Sequence, residues 1–502
     1  MADKPHSRKR RLASNTVFSF ISWFFPLALS FFATPVIVRG LGNENYGLYA
    51  LITGFISYSF GFGIGKTAAK YVSEYKASGE IEKISGVLSA IFWFSLAIGL
   101  LGTTIIAISA RTIAAEILQI PPDMQANATV ALYIASGTIL VFMLSQVFQF
   151  ALQGLHRFDR YSILTNLSGI LLNGGSIALV WRGGGVVALL CWNLFVISLI
   201  CVLFYFTVKR LLPEARIKLR VEREMAVSVL KYGASVILYQ FFANILLVFE
   251  RGWITRKFGP EAVTFYVVPM SLGIYLHGFT STLVLVLFPF VNELLAEKEK
   301  LTVLYQKANK IVIAVIAFCV TTLICGGKLF LGVWISREFA AEASLVLAIH
   351  VITFGLLAIV SISWQLAEGF GRASLNALCT MAWVVISIPL MILSANYWHN
   401  EGIALSRLTG VLATLPLVFY IEKRFLENVA WKFWLRILAS IAAAVTVTSF
   451  IEVGIFTRFD QTWLVLIFGA IAGGLGYSLI LLALGYLTRE ERTMLRDMLP
   501  GG

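Results

Sequence analysis

Long stretches without a charged residue limit what this chain can fold into. Leaving His aside, eleven stretches carry no charge: 12–38, 45–65, 84–110, 124–156, 161–181, 183–208, 232–249, 262–292, 343–367, 373–400 and 461–488. Each is close to or longer than the ~18–20 residues with which a helix crosses the hydrocarbon core of a bilayer. Three more segments contain one charged residue: 311–335 (Lys328), 402–421 (Arg407) and 437–455 (Glu452). The sequence therefore predicts an all-α polytopic membrane protein with about fourteen transmembrane helices.

Composition and loop length exclude several classes of protein. Charged residues make up 13% of the chain, against about a quarter in soluble domains. The longest predicted outer loop, 110–127, is too short to carry the catalytic residues of a polymerase or ligase. The five cysteines all fall inside predicted spans without metal-ligand spacing. We therefore expect a transporter rather than an enzyme, with no metal site and no cofactor; a coupling ion, H⁺ or Na⁺, is left open.

Basic residues predict the orientation, because Lys and Arg of short loops are retained in the cytoplasm. With both termini inside, thirty of the forty Lys and Arg lie in cytoplasmic segments and eight in outer loops. The net charge of +13 is then mostly this topology signal, with some attraction to anionic membrane lipids. Since the basic residues are dispersed among many loops, we expect no nucleic-acid partner.

A turn motif occurs twice at a constant offset of 217 residues. The matching pairs are Arg39 and Arg256, Gly42 and Gly259, Glu44 and Glu261, and Tyr49 and Tyr266. Tyr58 and Tyr275 agree at the same offset. The glycines fit tight turns, and the arginines fit contact with outer headgroups. The motif predicts an internal repeat with a structural role for these residues.

A second pair of loops matches at an offset of 215, where Gly154 and Arg157 correspond to Gly369 and Arg372. Two copies of a six-helix bundle have an even number of spans each, so they enter the membrane in the same direction and imply a pseudo-twofold axis along its normal. The predicted organisation is a basic cytoplasmic N-terminus (1–11), an N-lobe (12–208), a cytoplasmic linker (209–231), a C-lobe (232–422), two unrepeated helices (423–487) and a cytoplasmic tail (488–502).

These motifs resemble those of a known family. The segment from Asn15 to Leu51, with its Leu-Gly-Asn-Glu-Asn-Tyr-Gly-Leu-Tyr turn, resembles the opening of the polysaccharide transporter family. Its members are Wzx-like flippases of the multidrug/oligosaccharidyl-lipid/polysaccharide exporter superfamily. The segment from Glu250 to Glu261 is similar to an acidic-Arg motif that precedes Gly-Pro-Glu in that family. Asn43 stands where the family commonly has Pro, and Glu250 where it commonly has Asp.

The resemblance implies a flippase of the bacterial inner membrane. It would move a polyprenyl-diphosphate-linked oligosaccharide, an O-antigen or exopolysaccharide repeat unit, to the outer leaflet by alternating access. Polysaccharide polymerase or assembly proteins would be its partners. Two relatives stay open: an ion-coupled multidrug exporter and a lipid II-type flippase. The predicted N-lobe spans lack Asp and Glu, which favours an anionic substrate over cationic drugs.

Candidate site residues are the charged and amide side chains inside or at the ends of the spans, since such groups are costly in a membrane and tend to be functional. For substrate binding or gating we select Glu250, Arg251, Arg407, Lys66, Lys70, Gln149, Gln240 and Asn244. Arginine and lysine suit the diphosphate and amides suit sugar hydroxyls. The alternatives are snorkelling to headgroups for the basic residues and hydrogen bonding between helices for the amides.

Overall fold

The computed structural model describes residues 5–59, 64–219, 221–294, 297–426 and 428–486. The chain divides into two compact units, Met1–Thr264 and Phe265–Gly502. A π-helical turn, Ile113–Ile117, follows the fourth helix of the first unit. The first unit contains the helices α1 (Pro5–Leu41), α2 (Asn43–Ser59), α3 (Ile64–Ser78), α4 (Ile81–Thr112), α5 (Pro122–Gly154), α6 (Phe158–Trp181), α7 (Val186–Leu211) and α8 (Arg223–Phe258).

The second unit takes most of α9, which begins at Pro260 in the first unit, and all later helices. These elements are α9 (Pro260–Leu294), α10 (Lys298–Trp334), α11 (Arg337–Gly369), α12 (Ala373–Leu412), α13 (Pro416–Phe425), α14 (Trp431–Phe456) and α15 (Trp463–Ala483). Ser336 caps α11 because its hydroxyl accepts from the N–H of Phe339 at 3.1 Å. Among the described residues 89% are helical and none lies in a strand, which confirms the all-α class.

Apolar side chains on the helix surfaces show that these helices face lipid. Ile108 of α4 is 80% exposed, and Phe450 of α14 and Leu464 of α15 are each 78% exposed. In water such surfaces would be costly, whereas lipid tails solvate them. Eleven segments of the described chain are long and apolar enough to cross a membrane. The protein is therefore a multi-pass membrane protein, while the total of about fourteen spans stays a prediction.

One of the eleven segments, Ala373–Phe425, contains a helical hairpin. Helical geometry is interrupted at Trp398 and His399, and the hydroxyls of Ser394 and Ser406 then meet at 2.9 Å. Residues twelve apart on one straight helix would be about 18 Å apart. The chain therefore reverses at Trp398–His399, just before the end of the predicted span 373–400, and the predicted span 402–421 lies after the reversal.

The two turns that align at an offset of 217 share one backbone geometry. α1 and α8 are each followed by a glycine with positive φ, +76° at Gly42 and +84° at Gly259. Both glycine N–H groups donate to the carbonyl four residues earlier, at 2.9 Å. Side chains with a Cβ are strained in this conformation, so the turn accounts for the repeated glycines.

The same two turns contact each other inside the first unit. Gly47 lies so close to Pro260 that an added Cβ would overlap its carbonyl oxygen. The hydroxyl of Thr264 donates to the carbonyl oxygen of Asn43 at 2.5 Å. At the offset of 217, Gly47 corresponds to Thr264 and Asn43 to Pro260, so each contact is the counterpart of the other. A reciprocal pair of this kind is the signature of a local twofold axis.

The loops that align at an offset of 215 also match in detail. His156 and Gly371 both have positive φ, +57° and +69°. The N–H groups of Arg157 and Arg372 donate to the carbonyl five residues earlier, at 3.0 and 2.7 Å. Each loop follows a long buried helix, α5 or α11, and leads directly into the next helix. The sequence match thus reflects one loop conformation used twice.

The predicted domain boundaries are not all open to comparison. Residues 1–4 of the basic N-terminus, 60–63 of the second predicted span and 487–502 with the tail lie outside the described residues. Residues 8–11, which were expected to precede the membrane, are part of α1. The lobe boundaries at 208, 232 and 422 stay predictions.

A buried carboxylate connects α13 to α14 in the second unit. Glu422 is 1% exposed; one of its oxygens accepts from Trp434 Nε1 at 2.7 Å and the other from the N–H of Ala430 at 3.1 Å. Both oxygens of this buried carboxyl group therefore have an N–H donor. It fixes the start of α14 against the end of α13.

Replacing Trp434 with Phe is expected to destabilise the protein by about 1–3 kcal/mol, because a buried carboxylate loses a donor. Thermal unfolding in detergent measures the effect. Trp431→Phe is the matched control, since Trp431 is 59% exposed and stacks on Phe419, and phenylalanine keeps that contact. Equal unfolding temperatures for the two variants would contradict the role of Glu422.

Candidate functional site

Arg251 is a buried cationic side chain in the first unit. It lies on α8, is 4% exposed and donates from Nη1 to the carbonyl of Leu247 at 2.8 Å. Its guanidinium carbon lies 5.0 Å from the centre of the Tyr58 ring on α2. A Cβ at Gly54, one turn earlier on α2, would lie 2.6 Å from Arg251 Nε. Gly54 thus makes the room that the arginine occupies, and snorkelling to a surface does not describe this residue.

Glu250 precedes Arg251 and is fully buried, with 0% exposure. A carboxylate and a guanidinium buried this completely are costly, and charged groups retained inside membrane proteins usually serve transport. The sequence selected both residues as charges at the outer end of a predicted span, just beyond the charge-free stretch 232–249. Their burial, and the α2 contact of Arg251, come only from the structure.

An apolar cavity of about 280 Å³ lies beside Arg251. Arg251 is the charged group in its wall, and the other lining side chains are almost all aliphatic or aromatic. They belong to α2, α5, α8, the π-helical turn and the residue after it: Leu51, Ile52, Phe55, Ile113, Ile117, Leu118, Leu132 and Val248. A cationic head with an apolar wall suits an amphipathic anion.

A second cavity of the first unit, of about 230 Å³, is lined by six uncharged polar side chains and five apolar ones, and we call it the hydroxyl cavity. Helices α2, α5, α6 and α7 contribute its polar side chains: Thr53, Ser57, Ser145, Gln149, Ser168 and Asn193. The amide of Gln149 donates to the Ser145 hydroxyl at 3.4 Å. In the described part of the chain, Asn193 Oδ1 accepts no hydrogen bond although it is buried. Such a lining can exchange hydrogen bonds with a neutral, hydroxyl-rich group.

Helix α2 connects the two regions. Thr53 and Ser57 line the hydroxyl cavity, whereas Gly54 and Tyr58 contact Arg251. Consecutive residues of a helix are rotated by about 100°. One face of α2 therefore lines the hydroxyl cavity, and the adjacent face contacts Arg251. Sequence reasoning selected Gln149 but missed the serines and threonines, because a hydroxyl in a membrane helix commonly bonds to its own backbone. Thr53 does so as well, donating to the carbonyl of Tyr49 at 2.8 Å.

Arg407 is the buried arginine of the second unit. It lies in the returning arm of the α12 hairpin and is 3% exposed. The guanidinium carbon lies 5.3 Å from the ring centre of Phe354 and 5.1 Å from that of Trp383. Trp383 Nε1 also donates to the carbonyl of Arg407 at 3.2 Å. Two aromatic faces therefore hold this cation inside the apolar segment, where snorkelling would have exposed it.

The remaining predicted site residues lie outside the lining of both cavities. Gln240 and Asn244 share one face of α8 and are joined by a hydrogen bond of 3.2 Å, as their spacing predicts. Lys66 and Lys70 are exposed on α3, and Lys70 Nζ lies 4.6 Å from the Tyr71 ring centre. The exposure of these two lysines agrees with contact to lipid headgroups. Their contact with the substrate stays a prediction.

The repeated arginines have different local partners. Arg256 donates from Nη1 to the carbonyl oxygens of Glu116 and Ile117, at 3.2 and 2.9 Å. Arg157 forms two hydrogen bonds with the Asp159 carboxylate, of 2.9 and 2.7 Å. Those hydrogen bonds raise the pKa of the Arg157 guanidinium above its ordinary value. Both arginines thus bond to groups at helix ends, and the headgroup contact expected of Arg256 stays a prediction.

Comparison with known proteins adds a family and a fold. A family model described as "Polysaccharide biosynthesis protein" matches residues 36–344. A protein of Shigella flexneri named "Putative O-antigen transporter" is 19% identical over 418 residues, which cover 82% of this chain and 98% of that protein.

Two solved structures share the fold. The lipid II flippase MurJ in an inward closed conformation has a TM-score of 0.74 at 14% identity, and the match covers 96% of this chain and all of that one. A multidrug resistance MATE family transporter of the MOP superfamily, in its inward-facing conformation, has a TM-score of 0.67 at 17% identity, covering 82% of this chain and 99% of that one. At such identities the likeness concerns the fold alone.

Proposed function

The chain belongs to the polysaccharide biosynthesis protein family whose model it matches over residues 36–344, and from this premise we propose that it is a flippase for a lipid-linked oligosaccharide. It moves a polyprenyl-diphosphate-linked repeat unit from the inner to the outer leaflet by alternating access. The resemblance of its motifs to polysaccharide transporters is confirmed by that match.

The observation that carries the proposal is that the buried guanidinium of Arg251 and the hydroxyl cavity lie on adjacent faces of α2. The substrate has an anionic diphosphate, a hydroxyl-rich glycan and an apolar tail. Arginine binds phosphate oxygens in a planar, bidentate manner, and the hydroxyl cavity offers donors and acceptors without a charge. The apolar wall beside Arg251 suits the first isoprene units of the tail.

The transport cycle requires two lobes that move relative to each other, and we propose the predicted organisation for it. About fourteen spans form two six-helix lobes, 12–208 and 232–422, with two further helices. The matching turns at offsets of 217 and 215 support a duplication, and the reciprocal contact between Gly47 and Pro260 and between Asn43 and Thr264 supports a twofold axis at the first turn. Charge distribution supports cytoplasmic termini in a bacterial inner membrane.

Reconstitution of the full chain into liposomes tests the function. A polyprenyl-diphosphate-linked oligosaccharide is placed in the inner leaflet, and its appearance outside is followed with a lectin. We expect translocation that empty liposomes lack. Efflux of cationic dyes without movement of the oligosaccharide would instead identify an ion-coupled multidrug exporter, and movement of lipid II alone would identify a peptidoglycan precursor flippase.

The hydroxyl cavity is tested by Thr53→Val, which removes one hydroxyl at nearly constant volume. A net hydrogen bond is worth about 0.5–1.5 kcal/mol, so transport should fall about two- to tenfold. Thr446→Val is the matched control, because Thr446 also donates to its own helix at 2.8 Å but lies on an exposed face. Gln149→Leu should reduce transport further. Unchanged transport in both cavity variants would remove the cavity from the substrate path.

A further inference from the structure

A single carboxyl group lies where three helices of the second unit meet. Glu452 of α14 is fully buried, with 0% exposure. Its Oε1 accepts a hydrogen bond of 2.7 Å from the Thr322 hydroxyl on α10. On α15, a Cβ at Gly473 would lie 2.5 Å from the same oxygen. The absence of a side chain at Gly473 therefore lets α15 close over the carboxyl group.

The second oxygen of Glu452 is unsatisfied. In the described part of the chain, Oε2 is buried and has no hydrogen-bond partner, and no basic side chain there forms an ion pair with Glu452. Glu422, in the same unit, differs because both its oxygens accept from N–H groups. A buried carboxylate with one neutral donor and no cation is far costlier than the neutral acid.

The groups that face Glu452 from the three helices are uncharged. On α10 they are Thr322 and the thiol of Cys325, while Lys328 of the same helix is exposed. On α15, one turn beyond Gly473, the hydroxyl of Tyr477 is used in a 2.8 Å hydrogen bond to the carbonyl of Ala314. On α14 itself, Thr448 donates to its own helix at 2.9 Å. Nothing among these groups neutralises a negative charge.

We propose that Glu452 is a proton-binding site and that the packed α10–α14–α15 interface holds it as a neutral carboxylic acid. A proton fits because one free oxygen suffices for it, whereas a metal ion needs several oxygen ligands. Loss of the proton places a charge among apolar side chains and favours separation of α14 and α15 from α10. The site lies outside both cavities, so the proposal does not depend on the identity of the transported substrate.

Infrared spectroscopy of the full chain in lipid nanodiscs at neutral pH tests the protonation directly. The wild-type spectrum minus that of Glu452→Gln should contain the C=O stretching band of a protonated carboxyl group, shifted in D₂O. Glu342→Gln is the matched control, since Glu342 of α11 is exposed and should remove only carboxylate bands. A Glu452 difference that contains only carboxylate bands would overturn the proposal.

Thermal unfolding from mildly acidic to alkaline pH tests the link to packing. The folded state holds the proton, and an ordinary glutamate in water is ionised at neutral pH. Raising the pH therefore favours the unpacked state. From about pH 5 upward the wild-type unfolding temperature should fall more steeply than that of Glu452→Gln, whose amide has no proton to lose. Parallel profiles would overturn the proposal, and neither readout requires transport activity.

Discussion

Replacing Arg407 with alanine is expected to reduce transport at least about tenfold while the protein is still made and inserted. The guanidinium is 3% exposed and lies between the rings of Phe354 and Trp383. A hydrogen bond from this guanidinium to an anionic substrate is worth about 1.5–3 kcal/mol. A loss of 1.4 kcal/mol lowers the transport rate by a factor of about ten. The measurement is surface polysaccharide display in cells that carry only the variant, normalised to its level in the membrane.

Two further variants separate charge from packing. Arg407→Lys keeps the charge but not the planar guanidinium, so we expect partial display. Arg458→Ala removes an exposed arginine between α14 and α15 and should leave display unchanged. Wild-type display by Arg407→Ala at normal protein levels would mean that this arginine only packs against its two aromatic neighbours.

Replacing Gly47 with alanine is expected to cause a large loss of stability. The added Cβ would overlap the carbonyl oxygen of Pro260, and backbone cannot move aside as the end of a flexible side chain can. Overpacking of this kind costs about 1–3 kcal/mol or more. It would also disturb the hydrogen bond between Thr264 and Asn43, the counterpart contact. Thermal unfolding in detergent and the yield of monodisperse protein measure the effect.

Gly174→Ala is the matched control in the same unit. A Cβ at Gly174, within α6, would meet nothing within 4 Å, and alanine is the better helix former by about 1 kcal/mol. We expect this variant to be as stable as the wild type or more stable. If Gly47→Ala unfolds at the same temperature as Gly174→Ala, the result would contradict the close contact between Gly47 and Pro260.

The turns illustrate what a sequence can reveal about such a fold. Gly42 and Gly259 were recognisable because a positive φ is a local requirement that only a few residue types meet easily. The reversal at Trp398–His399 was also approximately predictable, since the charge-free run ends at residue 400. By contrast, most of the residues that line the hydroxyl cavity together with Gln149 come from other helices. Serine and threonine are common enough in membrane helices that nothing in the sequence selects those residues.

The sequence by itself determined that this is an all-helical membrane protein, where its apolar segments lie and which motif is repeated. Those properties depend on composition along the chain and on local backbone requirements. The tertiary structure alone decided that Arg251 lies against Gly54 and Tyr58, that two rings enclose Arg407 and that Glu452 meets Thr322. The reason is physical: lipid tails and protein interiors are equally apolar, so a membrane helix has no polar face that shows which side packs against its neighbours.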